Sequence, residues 1–216
     1  MSRKKKFKRI LLCALLISLP LLSMNNIIKS DNILCNNLVG VCEDDSIKNQ
    51  FDSIAFYQMT YEMKKDSLKN ELINETDEYI SSITLRAHDS LPKYIVENAL
   101  VHNIDIMFML AQTQIETTFG TDGAGRESSR RSLFGVAVKR YSNYENAIDD
   151  YCNILKKYYL TRGRTEQNLM RRYTTTGGAR YAGNPNYENE LRNTYNQICK
   201  NTRLAKLQNE YKLMIE

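Results

Sequence analysis

Six consecutive apolar residues, Ile106-Met107-Phe108-Met109-Leu110-Ala111, follow Asp105 and lead into Gln112-Thr113-Gln114-Ile115-Glu116. On a helix such a run covers every side, so the segment has to be surrounded by other elements. Asp105 offers a carboxylate to the unpaired N–H groups of a first turn, and Gly120 suits the end of a helix. Further helical patterns are available to wrap this core. Ser46 to about Glu78 is amphipathic through Ile47, Phe51, Ile54, Ala55 and Met59, and Leu91 to Val101 opens with Pro92 at a tolerated early position. Asn143 to Tyr159 carries Ile148, Tyr151, Cys152 and Leu155 on one face, Thr165 to Tyr173 is short, and Tyr187 onward reads as one long C-terminal helix. Three prolines and nine glycines are too few for the turns of a β-sandwich. Strand signals reduce to Gly135–Lys139, and the fold class expected is mainly α.

The charge is uneven. The chain has 30 Lys and Arg against 25 Asp and Glu. Six of the basic residues (Arg3, Lys4, Lys5, Lys6, Lys8, Arg9) fall in the first nine positions, leaving 24 against 25, or −1, for the remainder. That balance removes the electrostatic footprint of a nucleic-acid binder. The cationic block precedes the apolar run Ile10–Met24, the layout of a secretory signal. Export is expected, either by a cleaved signal or with an uncleaved inside-positive anchor that would tie the protein to the membrane. The expected location is periplasmic or extracellular. Four regions follow: 1–28 signal or anchor, 29–85 linker and amphipathic helical stalk, 86–205 a catalytic domain, and 206–216 a charged helix end.

Five cysteines and two histidines form no CxxC and no Cys/His cluster, so a zinc site or a Ser–His–Asp triad has little support. Cys35 and Cys42 could close a small loop, whereas Cys152 and Cys199 sit on apolar helix faces where a free thiol is the commoner outcome. No metal or cofactor is expected.

Glu116 carries the chemistry. It lies near the negative end of the buried helix and beside apolar neighbours, and both effects disfavour ionisation. A carboxyl kept protonated near neutral pH is what a general acid for glycoside cleavage requires.

The surrounding string sharpens this. Ala111-Gln112-Thr113-Gln114-Ile115-Glu116-Thr117-Thr118-Phe119-Gly120 resembles the A-Q-x-x-x-E-S-x-x-G segment of the glucosaminidase family of peptidoglycan hydrolases. Ser132-Leu133-Phe134-Gly135-Val136 resembles its N-L-F-G-I, Tyr141 to Tyr151 its Y-x-S-x-x-E-S-I-x-D-Y, and Arg180-Tyr181-Ala182-Gly183-Asn184-Pro185-Asn186-Tyr187 its G-Y-A-T-D-P-x-Y. The resemblance implies a lysozyme-like helical domain acting on peptidoglycan glycan strands; the sequence leaves room for only a very short β-lobe or none, and a monomer is expected. It implies cleavage of the β-1,4 bond after N-acetylglucosamine, with Glu116 as general acid and Tyr181 close to it. Phe134 and Gly135 would shape the groove, Asn184 and Tyr187 would line it or pack beside it, and Asp150 and Tyr151 would support the fold.

Only Ala137 to Arg140 separate the L-F-G block from Tyr141, where much of the family carries a longer lobe that can bring a second carboxylate. Glu127 and Glu145 are the local candidates, without a motif to recommend either. The sequence therefore favours a single carboxylate, with the N-acetyl group of the substrate as internal nucleophile and Tyr181 assisting. Two other readings stand beside this one: a lytic transglycosylase, and a membrane-tethered protein that grips the wall without cutting it.

Overall fold

The computed structural model describes residues 45–123, 131–134 and 139–215. The signal or anchor segment, Cys13, Cys35, Cys42, Glu127, Gly135 and most of the possible strand Gly135–Lys139 lie outside the described residues. The described elements are α1 (Asp45–Ile83), α2 (Leu91–Val101), α3 (Ile106–Thr117), α4 (Tyr144–Ile154) continued by a π-helical turn (Leu155–Tyr159), α5 (Glu166–Arg171), α6 (Tyr187–Asn201) and α7 (Leu204–Ile215). Strands are absent among the described residues apart from one isolated antiparallel bridge between Thr174 and Arg180. The fold is mainly α, as the patterning requires. No described helix is long and apolar enough to cross a membrane.

The chain divides into two compact units, residues 1–59 and 60–216. In the first, the described part is the start of α1, where Phe51, Ile54 and Met59 are exposed. In the second, the same helix buries Leu68, Leu72, Thr76 and Ile80, a strict four-residue spacing that turns one stripe inward. The compact unit thus begins within the stretch read from the sequence as linker and stalk.

Helix α3 is the axis of this unit. Every side chain from Ile106 to Thr113 is buried. A buried helix start must satisfy its free N–H groups internally. Asp105 does so at the cap, accepting from the Met107 N–H at 2.8 Å and the Phe108 N–H at 3.3 Å. Gln208 of α7 accepts from the Ile106 N–H at 2.8 Å, and Tyr195 of α6 donates to the other Asp105 oxygen at 2.9 Å. Two neighbouring helices are thereby pinned to the base of α3.

The C-terminal chain departs from the single helix expected. Thr202 adopts an extended backbone and closes α6, and its hydroxyl accepts from the Leu204 N–H at 3.3 Å as α7 begins. The apolar residues Leu204, Leu207 and Tyr211 continue the periodicity across this break, which is why the pattern reads as one helix. Cys152 and Cys199 are free thiols, the first buried, as their positions on apolar faces suggest.

Candidate active site

Glu116 occupies the last full turn of α3, half-buried, and the chain leaves the helix at once. Thr118, Phe119 and Gly120 all have positive φ, 47°, 57° and 82°. The first two are side-chain-bearing residues in a region that favours glycine, a local strain of the kind that concentrates at functional sites. Gly120 has a steric reason as well, since a Cβ there would lie 2.9 Å from Leu133 Cδ2. Thr117, in the place of the family's serine, uses its buried hydroxyl to join two segments. Its Oγ1 donates to the Leu133 carbonyl at 3.0 Å and accepts from the Gly120 N–H at 3.1 Å. The Leu133-Phe134 segment is thereby tied to the turn that carries Glu116.

The second component is a tight hairpin. The Thr175 N–H donates to the Ala179 carbonyl at 2.8 Å, Gly178 takes a φ of 88°, and the Tyr181 N–H donates to the Tyr173 carbonyl at 2.9 Å. That pairing sets Tyr173 and Tyr181 side by side, and their rings stack 4.3 Å apart at 8°. Glu188 clamps the hairpin to α6, accepting from the Tyr173 N–H at 3.1 Å and from Arg180 Nη2 at 2.7 Å. The π-helical turn after α4 brings Tyr159 edge-on to Tyr173 and Tyr181, at 5.2 and 6.0 Å.

The third component is the first residue of α6. Tyr187 is only 6% exposed, and its hydroxyl donates to Glu116 Oε1 at 2.6 Å. Its ring lies 5.4 Å from that of Tyr181. Burial raises the Glu116 pKa above the ordinary glutamate value, while the Tyr187 and Tyr181 hydroxyls pull in the opposite direction. The net shift is upward, and among the described residues no second acid contributes to it. Burial likewise pushes the Tyr181 and Tyr187 phenols well above their usual range, so both stay neutral.

The residues expected from sequence therefore meet in part. Glu116, Tyr181 and Tyr187 converge. The ordering of the two tyrosines differs from expectation, because Tyr187, expected to line the groove or pack beside it, makes the direct hydrogen bond. The Tyr181 hydroxyl donates instead to the Phe134 carbonyl. Phe134 contributes that carbonyl and not its ring, which is 1% exposed and stacked on Tyr151 at 3.7 Å and 3°. Its side chain therefore does not face a groove. Asn184 is exposed and shapes the approach to α6, accepting from the Asn186 N–H at 2.9 Å. Tyr151 is buried, and Asp150 holds Lys139 at 2.8 Å and the Tyr141 hydroxyl at 2.7 Å, both structural roles. Glu145 sits exposed in the first turn of α4. Three residues that sequence reasoning did not single out for the site, Gln112, Thr117 and Tyr173, hold it together. A glutamine and two threonines interrupting an otherwise apolar buried helix were the available signal.

A half-buried carboxyl with a raised pKa, at a buried helix end and between neutral tyrosines, is the equipment of a general acid. Residues 92–200 match the Glucosaminidase family, mannosyl-glycoprotein endo-beta-N-acetylglucosaminidase, and the chain belongs to that family. Membership supports a peptidoglycan glycosidase in general terms. A search of curated proteins finds no match to the chain.

Proposed function

We propose that the protein hydrolyses the β-1,4 bond after N-acetylglucosamine in peptidoglycan, with Glu116 as general acid and the substrate's own acetamido group as nucleophile. The observation that carries this reading is a half-buried Glu116 bonded to the Tyr187 hydroxyl at 2.6 Å, its pKa raised by burial with no second acid contributing among the described residues. In the first step the acetamido carbonyl oxygen bonds to C1 and the C1–O bond to the leaving sugar breaks, while Glu116 transfers its proton to the departing oxygen. Water then adds to C1, returns a proton to the Glu116 carboxylate and restores the acetamide. A retaining mechanism through an enzyme carboxylate needs a second acid ~5–5.5 Å away, and the sequence supplies no motif for one. In this scheme Tyr181 assists as an acceptor for the acetamido N–H. The cationic block and apolar run of residues 2–24 support export to the compartment that holds the wall.

Digestion of purified peptidoglycan by the protein and by its Glu116→Gln variant tests this, with products reduced and analysed by mass spectrometry. Fragments ending in reduced N-acetylglucosamine, lost in the variant, are expected. Anhydro ends would reassign the reaction to a transglycosylase. Retention of glycan by the folded protein without any release would make it a binding protein.

A further inference from the structure

Gln112 is completely buried, four residues before Glu116 on the same helix. Its Oε1 accepts hydrogen bonds from both the Tyr151 and the Tyr173 hydroxyls, the latter at 2.9 Å. Its Nε2 is buried with no hydrogen-bond partner among the described residues. Buried polar atoms are nearly always paired, and an exception calls for a reason. The Tyr151 and Tyr173 phenols account for the oxygen of the amide but not for its orphaned donor.

The contacts around Gln112 form a closed circuit. Tyr151 bonds to Gln112 and stacks on Phe134 at 3.7 Å. The Phe134 carbonyl accepts the Tyr181 hydroxyl, Tyr181 stacks on Tyr173 at 4.3 Å, and Tyr173 returns to Gln112. A phenol has one proton. Tyr181 gives its proton to the Phe134 carbonyl. Tyr187 is therefore the principal donor to Glu116, and the Tyr181 hydroxyl the lesser one.

We propose that Gln112 is a positioning residue for the glycosidic step, acting through Tyr173, Tyr151 and Phe134 to fix the place and the proton direction of the Tyr181 hydroxyl beside Glu116. This rests on the hydrolase reading above and deepens it. Without the Oε1 acceptor, Tyr173 and the Tyr181 ring stacked on it are free to shift, and a Tyr181 proton turned from Phe134 to the Glu116 carboxylate lowers the pKa of the acid further.

The test compares Gln112→Met, which keeps the volume, with Gln112→Glu, which keeps the acceptor oxygens. Peptidoglycan turnover is measured against pH, and Glu116 is titrated directly by carboxyl carbon NMR in the substrate-free protein. Gln112→Met is expected to melt cooperatively but below the wild-type temperature, because the buried Tyr151 and Tyr173 hydroxyls lose their acceptor. Its kcat should fall about ten- to a hundredfold with little change in KM, and the Glu116 midpoint should move down. Gln112→Glu should recover most of the turnover. An unchanged midpoint and unchanged kcat in a folded Gln112→Met protein overturn the proposal, as does a loss that only tracks the unfolded fraction. Should Gln112→Met fail to fold, Tyr173→Phe breaks the circuit while keeping the ring, and the same two readouts decide. Wild-type protein that cuts no glycan sinks the hydrolase reading, while the NMR midpoint still decides the positioning claim.

Discussion

The Tyr187 hydroxyl and the Glu116 carboxylate, 2.6 Å apart, join the first residue of α6 to the last turn of α3 across 71 positions of sequence. The bond sets two effects against each other on one carboxyl. Burial favours the protonated acid, and the phenol favours the ionised base. A general acid in a hydrolytic cycle has to give up its proton and take it back, so a carboxyl held between these effects suits both halves of the reaction.

Removing the phenol should tip this balance. In Tyr187→Phe the ionised form loses a donor, the Glu116 pKa rises further, and the alkaline limb of the pH–rate profile should move to higher pH. A limb that stays in place or moves down would show that Tyr187 does not set the acidity of Glu116.

Glu116→Gln should abolish most turnover, by about 10²–10⁴-fold for a lost general acid, and should make the protein more stable at neutral pH. The sign follows from linkage. A folded-state pKa above the unfolded value means that wild-type stability is fully present below the unfolded pKa, about 4.3, and is lost as pH rises through the folded value. The glutamine has no such loss. Its advantage in thermal melting should be small under acid conditions and grow as Glu116 ionises; a variant less stable at every pH would contradict this.

What the sequence showed and hid follows from where the forces act. Local patterns exposed the axis: six apolar residues after Asp105 could only be a central helix, and the cap lies where its chemistry demands. Glu116 was legible for the same reason, as a carboxyl at the end of that helix. The break at Thr202 was hidden, because Leu204, Leu207 and Tyr211 keep the apolar periodicity running through it. The rank of the two tyrosines was hidden too. Tyr181 bonds to Phe134, 47 positions away, and Tyr187 to Glu116, and no local pattern encodes which hydroxyl reaches which acceptor. The Gln112 circuit is likewise a product of four segments meeting.

Asp105 secures the opposite end of α3. Asp105→Ala removes the acceptor of two backbone N–H groups and of the Tyr195 hydroxyl, and should cost about 1–2 kcal/mol, the upper range for a helix cap. Asp105→Asn keeps an oxygen for the cap and should cost less. Urea unfolding of the pair checks this, and equal losses would mean that the charge, not the cap, is what matters.

Glu188 should make the hairpin that carries Tyr181 sensitive to acid. Burial opposes its ionisation, but the backbone N–H groups of Glu188 and Tyr173 and the Arg180 guanidinium outweigh it and hold its pKa below the ordinary value. A depressed carboxylate contributes stability above the unfolded pKa and loses it as pH falls through the folded one. Glu188→Gln should therefore destabilise the protein at neutral pH by about 1–2 kcal/mol, the scale of a charged hydrogen bond shared with solvent, and the difference should shrink toward acid. Loosening the clamp also frees Tyr173 and Tyr181 from α6, so turnover should fall more steeply than stability. Turnover that follows the folded fraction alone would confine Glu188 to the fold.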